Sequence, residues 1–159
     1  MEITRKLPWV MSMLIVCSLL ACSFLAWSQA PSARAAADLT GRTWQLVQFE
    51  SSNGKTLIPT GPSKYTIIFQ PTGQVSVRID CNRGRGTWKS TRRNQLQFGP
   101  LALTRAMCSP APLNDRIARD WSDVRSYTLK GGHLFLALRA DGGIYEYEPQ
   151  TATAAPGEE

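Results

Sequence analysis

Tyr65-Thr66-Ile67-Ile68-Phe69-Gln70-Pro71-Thr72-Gly73-Gln74-Val75-Ser76-Val77-Arg78-Ile79 is the stretch that decides the fold. Its first five residues are all β-branched or aromatic. Val75 to Ile79 alternates apolar with polar, the period-two signature of a half-buried strand. Gln70-Pro71-Thr72-Gly73 supplies turn chemistry between the two runs, so together they read as a β-hairpin. Outward from this hairpin the same pattern recurs. On its N-terminal side, Trp44-Gln45-Leu46-Val47-Gln48-Phe49 largely alternates, and Ser52-Asn53-Gly54-Lys55 follows as a turn. On its C-terminal side, Gly86-Thr87-Trp88-Lys89 and Gln95-Leu96-Gln97-Phe98 are expected to pair across residues 90–94. Leu101-Ala102-Leu103 is a short run after a Gly-Pro break. Residues 126–129, 133–138 and 144–147 form three more runs, separated by Gly131-Gly132 and Asp141-Gly142-Gly143, and suggest a meander.

One segment departs from period two. Across residues 112–125 the apolar positions Leu113, Ile117, Trp121 and Val124 fall four, four and three apart, which makes one helical face. Asp115/Arg119, Arg116/Asp120 and Arg119/Asp123 place opposite charges four apart on the outer surface. Residues 149–159 are mostly Ala, Thr, Pro, Gly and Glu and read as a flexible tail. The expected class is therefore mainly β, antiparallel, with one inserted helix.

The N-terminus is a different kind of segment. Arg5 and Lys6 precede an apolar run from Trp9 to Trp27, and a small-residue stretch follows. That is the secretory signal pattern, and Ala33-Arg34-Ala35 offers the small side chains signal peptidase needs, placing cleavage before Ala36. Ser28-Gln29-Ala30 is a second candidate, with Pro31 unfavourably after the cut. Two other readings stay open: an uncleaved membrane anchor, or a lipoprotein attached at Cys22 of Leu19-Leu20-Ala21-Cys22. All three imply export, and the first places the protein in the periplasm.

Without residues 1–35, the 18 basic residues become 15 and the 12 acidic residues become 11. A net charge of +4 does not imply a dedicated nucleic-acid binder. Cys17 and Cys22 leave with the signal, so Cys81 and Cys108 remain, and two cysteines in an oxidising compartment are most simply a disulfide.

Four further stretches resemble a known family. Leu39-Thr40-Gly41-Arg42-Thr43-Trp44-Gln45-Leu46 is similar to the opening of the META domain, the HslJ-like family of exported bacterial proteins. Cys81-Asn82-Arg83 with Gly86 downstream resembles its central motif, and Thr104-Arg105-Ala106-Met107-Cys108 resembles its Thr-Arg-Met-Ala-Cys-type segment. Tyr127-x-Leu129 and Leu134-x-Leu136 match its last strands. The resemblance covers residues 38–148 and implies a compact antiparallel sheet or partial barrel with one helix. It also implies a link to stress tolerance. It carries over no catalytic residue; Trp44, Asn82, Gly86 and Thr104 match its motifs as structural positions. Arg78-Ile79-Asp80 departs from it, because a Gly-containing approach to the cysteine is common there.

Chemistry is sparse. His133 is the only imidazole, and no Gly-x-Ser-x-Gly, phosphate loop or dinucleotide fingerprint occurs. No enzyme activity, cofactor or metal is expected. The strongest binding candidate is Arg83, Arg85, Lys89, Arg92 and Arg93, five cations in eleven residues with no acid between them. This patch suits anionic envelope lipid or an acidic face of another envelope protein, with Trp88 packed inside. The alternative is a secreted inhibitor or chaperone-like module whose disulfide-braced loop docks into a protein target. An apolar loop tip would favour it, and Leu57-Ile58-Pro59 is the only apolar loop the sequence shows.

Overall fold

The computed structural model describes residues 38–150. The expected signal segment, with Cys22 and the cleavage site, and residues 151–159 of the expected tail lie outside the described residues. Ten strands form one antiparallel sheet: β1 (Thr43–Glu50), β2 (Thr56–Leu57), β3 (Tyr65–Phe69), β4 (Gln74–Ile79), β5 (Asn82–Lys89), β6 (Gln97–Phe98), β7 (Ala102–Leu103), β8 (Val124–Lys130), β9 (His133–Leu138) and β10 (Ile144–Pro149). One helix, α1 (Pro112–Asp120), precedes β8. The sheet order is β6-β5-β4-β3-β1-β10-β9-β8, with β2 on β1 and β7 on β5. Its two ends meet: Leu96 N–H donates to the Arg125 carbonyl at 3.0 Å, and Tyr127 N–H to the Asn94 carbonyl at 2.9 Å. The sheet is thus nearly closed into a barrel, which removes most exposed edge.

Closure depends on curvature, and two breaks in alternation supply it. In β1 the inward positions are Trp44 and Leu46, then Phe49, because the pairing with β10 shifts between Leu46 and Gln48. In β8 Val124 and Tyr127 both face inward across a similar shift between Val124 and Ser126. Each is a β-bulge, which bends its strand and increases the local twist. The imperfect alternation of Trp44-Gln45-Leu46-Val47-Gln48-Phe49 is this bulge, written in sequence.

The core fills with the inward residues of the strands and the apolar face of α1. Leu113, Ile117, Trp121 and Val124 are all buried, but they do not share one helix. α1 stops at Asp120, a 3-10 turn follows (Trp121–Asp123), and Val124 begins β8 opposite Leu138. The helix expected over 112–125 is therefore shorter. Strand pairing with β9 claims Val124 and Ser126, a tertiary bond set that helical periodicity does not register. Among the outer-face pairs, Arg116 Nε does reach Asp120 at 3.1 Å. Asp123, by contrast, meets Arg139 at 2.9 Å. The tail boundary also moves. Pro149 pairs with Trp44, and Gln150 N–H donates to the Thr43 carbonyl. Among the described residues no helix is long and apolar enough to cross a membrane.

Burial pushes the phenols of all four tyrosines above their usual value of 10.0. For Tyr147 burial acts alone. For Tyr145 a hydrogen bond to Asp120 adds to it, and for Tyr65 the charge of Asp80 does. The unfolded chain ionises these groups near pH 10 while the fold keeps them protonated. This stability is complete below pH 10 and is lost as pH rises above it. Base titration is expected to show tyrosinate absorbance and loss of near-UV circular dichroism in one step above pH 10. Gradual ionisation centred at 10 with the dichroism intact would contradict it.

Candidate functional site

The β4–β5 hairpin positions the site. Ile79 pairs with Asn82, so the connection is the two-residue turn Asp80-Cys81. Asp80 adopts φ +54°, the left-handed conformation that favours glycine. The departure at Arg78-Ile79-Asp80 thus keeps a glycine-like backbone with an aspartate. Aspartate tolerates this region better than most residues, and here its carboxylate sits 3.6 Å from Lys64 Nζ and 3.4 Å from Asn114 Nδ2.

This tight turn fixes which residues stand side by side. Arg78 lies directly across from Arg83, and Ser76 from Arg85. Alternation along β5 leaves Arg83, Arg85 and Lys89 exposed while Gly84 and Trp88 face inward. Arg78, Arg83 and Arg85 line one groove of about 780 Å³ on the outer face of β3, β4, β5 and β7. Hydroxyls of Thr43, Ser63, Thr66, Ser76 and Thr104 surround them, and no carboxylate lines the groove. None of the three arginines has a carboxylate partner among the described residues. Arg78 is held in place by its Nε–H, which donates to the Asp80 carbonyl at 3.0 Å.

Of the five cations read from sequence, two line this groove. Arg83 and Arg85 belong to the groove. Lys89 ends β5, and Arg92 and Arg93 sit exposed in the turn toward β6, none of them lining the groove. Arg78 was absent from that set, although alternation along Val75-Ser76-Val77-Arg78-Ile79 already put it on the exposed face. Recognising a two-residue turn at Asp80-Cys81 would have paired it with Arg83. Trp88 is buried, edge-on to Phe69 at 5.2 Å, and its Nε1–H donates to the Gln70 carbonyl.

Of the motif positions Trp44, Asn82, Gly86 and Thr104, only Thr104 lines the groove. Cys81 and Cys108 are disulfide-bonded, with Cα atoms 5.6 Å apart. Asn82 Oδ1 accepts from Ala106 N–H at 2.8 Å and from Thr104 Oγ1 at 2.9 Å, and its Nδ2 donates to the Ala106 carbonyl at 3.2 Å. Gly84 and Gly86 let the segment 100–103 lie against β5. A Cβ on Gly86 would come 2.9 Å from the Pro100 carbonyl oxygen, and one on Gly84 within 2.9 Å of Leu101 Cδ1. Trp44 lies in the core, its Nε1–H donating to the Leu39 carbonyl. Asp80, Cys81 and Cys108 cluster closely enough to hold a metal ion. The disulfide engages both sulfurs, so one carboxylate remains, already beside Lys64. Ile58 of the apolar loop read from sequence is exposed, and a second exposed apolar loop residue joins it: Met107, between Ala106 and Cys108, has a fully exposed side chain.

Residues 37–151 match the family model of the META domain. The chain belongs to the META domain family. The resemblance seen in Trp44, Cys81-Asn82 and Thr104 to Cys108 is thereby established over the whole sheet. No curated protein matches the sequence of this META domain. Among solved structures, it is similar to a protein from Burkholderia xenovorans solved by NMR, at 19% identity and a TM-score of 0.59, covering 82% of this chain and 97% of that one. It is also similar to a DUF4847 family protein from Bacteroides vulgatus, at 15% identity and a TM-score of 0.52, covering 69% and 93%. These likenesses concern the fold alone.

Proposed function

We propose that this META domain is a non-enzymatic binding module of the bacterial cell envelope, exported by residues 1–35 into the periplasm, which holds an anionic envelope component and so serves stress tolerance. One observation carries the reading: Arg78, Arg83 and Arg85 converge on a groove that no carboxylate lines. Like charges directly opposite on neighbouring strands are destabilising by themselves. An oxyanion between them turns that repulsion into attraction, and guanidinium forks suit bidentate contacts with phosphate or carboxylate. The surrounding hydroxyls supply further donors, and about 780 Å³ is within the size range of small-ligand sites.

Vesicle flotation tests this directly. The protein is expected to float with anionic phosphatidylglycerol vesicles at low salt and to be released at high salt. Release follows because exposed charges are screened within about 8 Å already at physiological salt and over a shorter range above it, and neutral vesicles, with no net charge to attract the cations, are expected to be ignored. Each cation near an anionic surface contributes about 1 kcal/mol, so R78Q/R83Q/R85Q is expected to weaken binding about 100-fold. K89Q/R92Q/R93Q is expected to weaken it far less. Equal retention on both vesicle types, or on neither, would reject the groove as the binding site.

A further inference from the structure

The segment joining β7 to α1 runs from Thr104 to Ala111 without a turn or a bend, and residues 104–107 are exposed. Met107 stands fully in solvent, at 101% relative exposure. A single exposed apolar side chain is ordinary on a protein surface. What sets Met107 apart is how its two neighbours are held. Ala106 is fixed at both its N–H and its carbonyl by the side chain of Asn82. Cys108 is fixed by the disulfide to Cys81, the residue next to Asn82, and its sulfur lies 3.1 Å from Asn82 Nδ2. Between these anchors Met107 has no hydrogen bond of its own among the described residues. No turn or bend interrupts the chain here, the main-chain groups of Arg105 and Met107 on either side of the braced Ala106 make no hydrogen bond among the described residues, and one apolar side chain projects outward. A proteolytic cleft takes a peptide in this form, and a loop already held in it avoids the ordering cost of a flexible substrate.

We propose that residues 104–109 form an inhibitory loop for a serine endopeptidase with an apolar specificity pocket, which Met107 fills. The tethers also explain why such a loop would resist being consumed. Addition of the enzyme's serine oxygen to the Met107 carbonyl carbon, with rupture of the Met107–Cys108 C–N bond, leaves Met107 as an ester and passes the serine proton to the Cys108 amine. That amine cannot diffuse away, because the disulfide ties Cys108 to Cys81 while Asn82 keeps Ala106 beside it. It attacks the ester, re-forms the peptide bond and returns the proton to the serine oxygen. The inference rests on the braced loop and not on the arginine groove, and the two are tested separately.

The intact chain is titrated against chymotrypsin, whose specificity pocket is an apolar slot, and against trypsin, whose pocket ends in an aspartate. Stoichiometric inhibition of chymotrypsin with none of trypsin is expected. Met107→Gly is expected to lose at least about 30-fold in affinity for chymotrypsin, as for an anchor residue at an interface centre. Met107→Lys is expected to transfer inhibition to trypsin. Because Met107 buries nothing, both variants should melt with the parent. The variant with Ser at positions 81 and 108 is expected to be cut between residues 107 and 108 without inhibiting. Absence of inhibition by both the parent and Met107→Lys, or rapid cleavage of the disulfide-bonded parent at that bond, would overturn the proposal.

Discussion

Trp121→Ala is expected to lower the stability of the domain by about 3–5 kcal/mol, the range for deleting a buried large aromatic ring. Against the 5–15 kcal/mol typical of a whole domain, that is a large share. Trp121 is 5% exposed and lies face to face with Phe98 at 4.0 Å. Phe98 in turn stacks on Phe69, and Phe69 meets Trp88 edge-on, so four rings touch in series. The Trp121 Nε1–H also donates to the Gly99 carbonyl at 2.9 Å. This side chain therefore joins the end of α1 to β6, a two-residue strand with little pairing of its own. Beside β6, residues 94–96 close the barrel against β8. Urea unfolding reads the total cost. Native-state hydrogen exchange at Leu96 and Tyr127, whose amides make the closing bonds, should accelerate more than exchange in β3. Trp121→Phe keeps an aromatic face and is expected to cost about 1 kcal/mol from the lost hydrogen bond. A loss below about 1.5 kcal/mol for the alanine variant would show that the seam closes without this ring.

Joint replacement of Cys81 and Cys108 by serine is expected to cost about 3–4 kcal/mol. The bridge spans a sequence separation of 27 residues, and the figure is the chain-entropy value for releasing a loop of that length in the unfolded state. Loops of this size gain little further from extra length, because closure entropy grows only with its logarithm. For a domain near 110 residues the melting temperature should fall by about 10–20 °C. The folded variant is expected to keep its barrel, since the core residues and the closing hydrogen bonds involve neither cysteine. Opening the bridge with reductant should reproduce the effect in the parent chain. Two thiols reacting rapidly with a labelling reagent in the native, unreduced protein would contradict the bonded state.

Much of the architecture was legible because strand burial has a period of two and this chain keeps to it. Tyr65 to Phe69, Val75 to Ile79 and the three C-terminal runs could each be read from alternation alone, with Gly-rich turns between them. The cysteine pair was legible by count. The end of the helix was not. Val124 continues the spacing of Leu113, Ile117 and Trp121, yet it is also the first inward residue of β8. A bulge one residue later makes strand and helix periods agree there, and only pairing with Leu138 decides between them. Arg83 and Arg85 were legible as one exposed face, since residues two apart on a strand point the same way. Arg78 was missed because its neighbour across the sheet depends on turn length, and a tight turn with Asp80 at positive φ is not visible as a run of glycines.

The sequence by itself determined the class of the fold, the alternating core, the cysteine pair and the exposed cations of β5, because each is a local property of a few neighbouring residues. Only the tertiary structure decided the closure of the barrel, the meeting of Arg78 with Arg83 in a groove without carboxylates, and the bracing of Met107 between Asn82 and the disulfide. Each of these joins residues that are distant in the chain or set by turn geometry. No local pattern encodes such a meeting, which is fixed when the sheet curls and its ends find their hydrogen bonds.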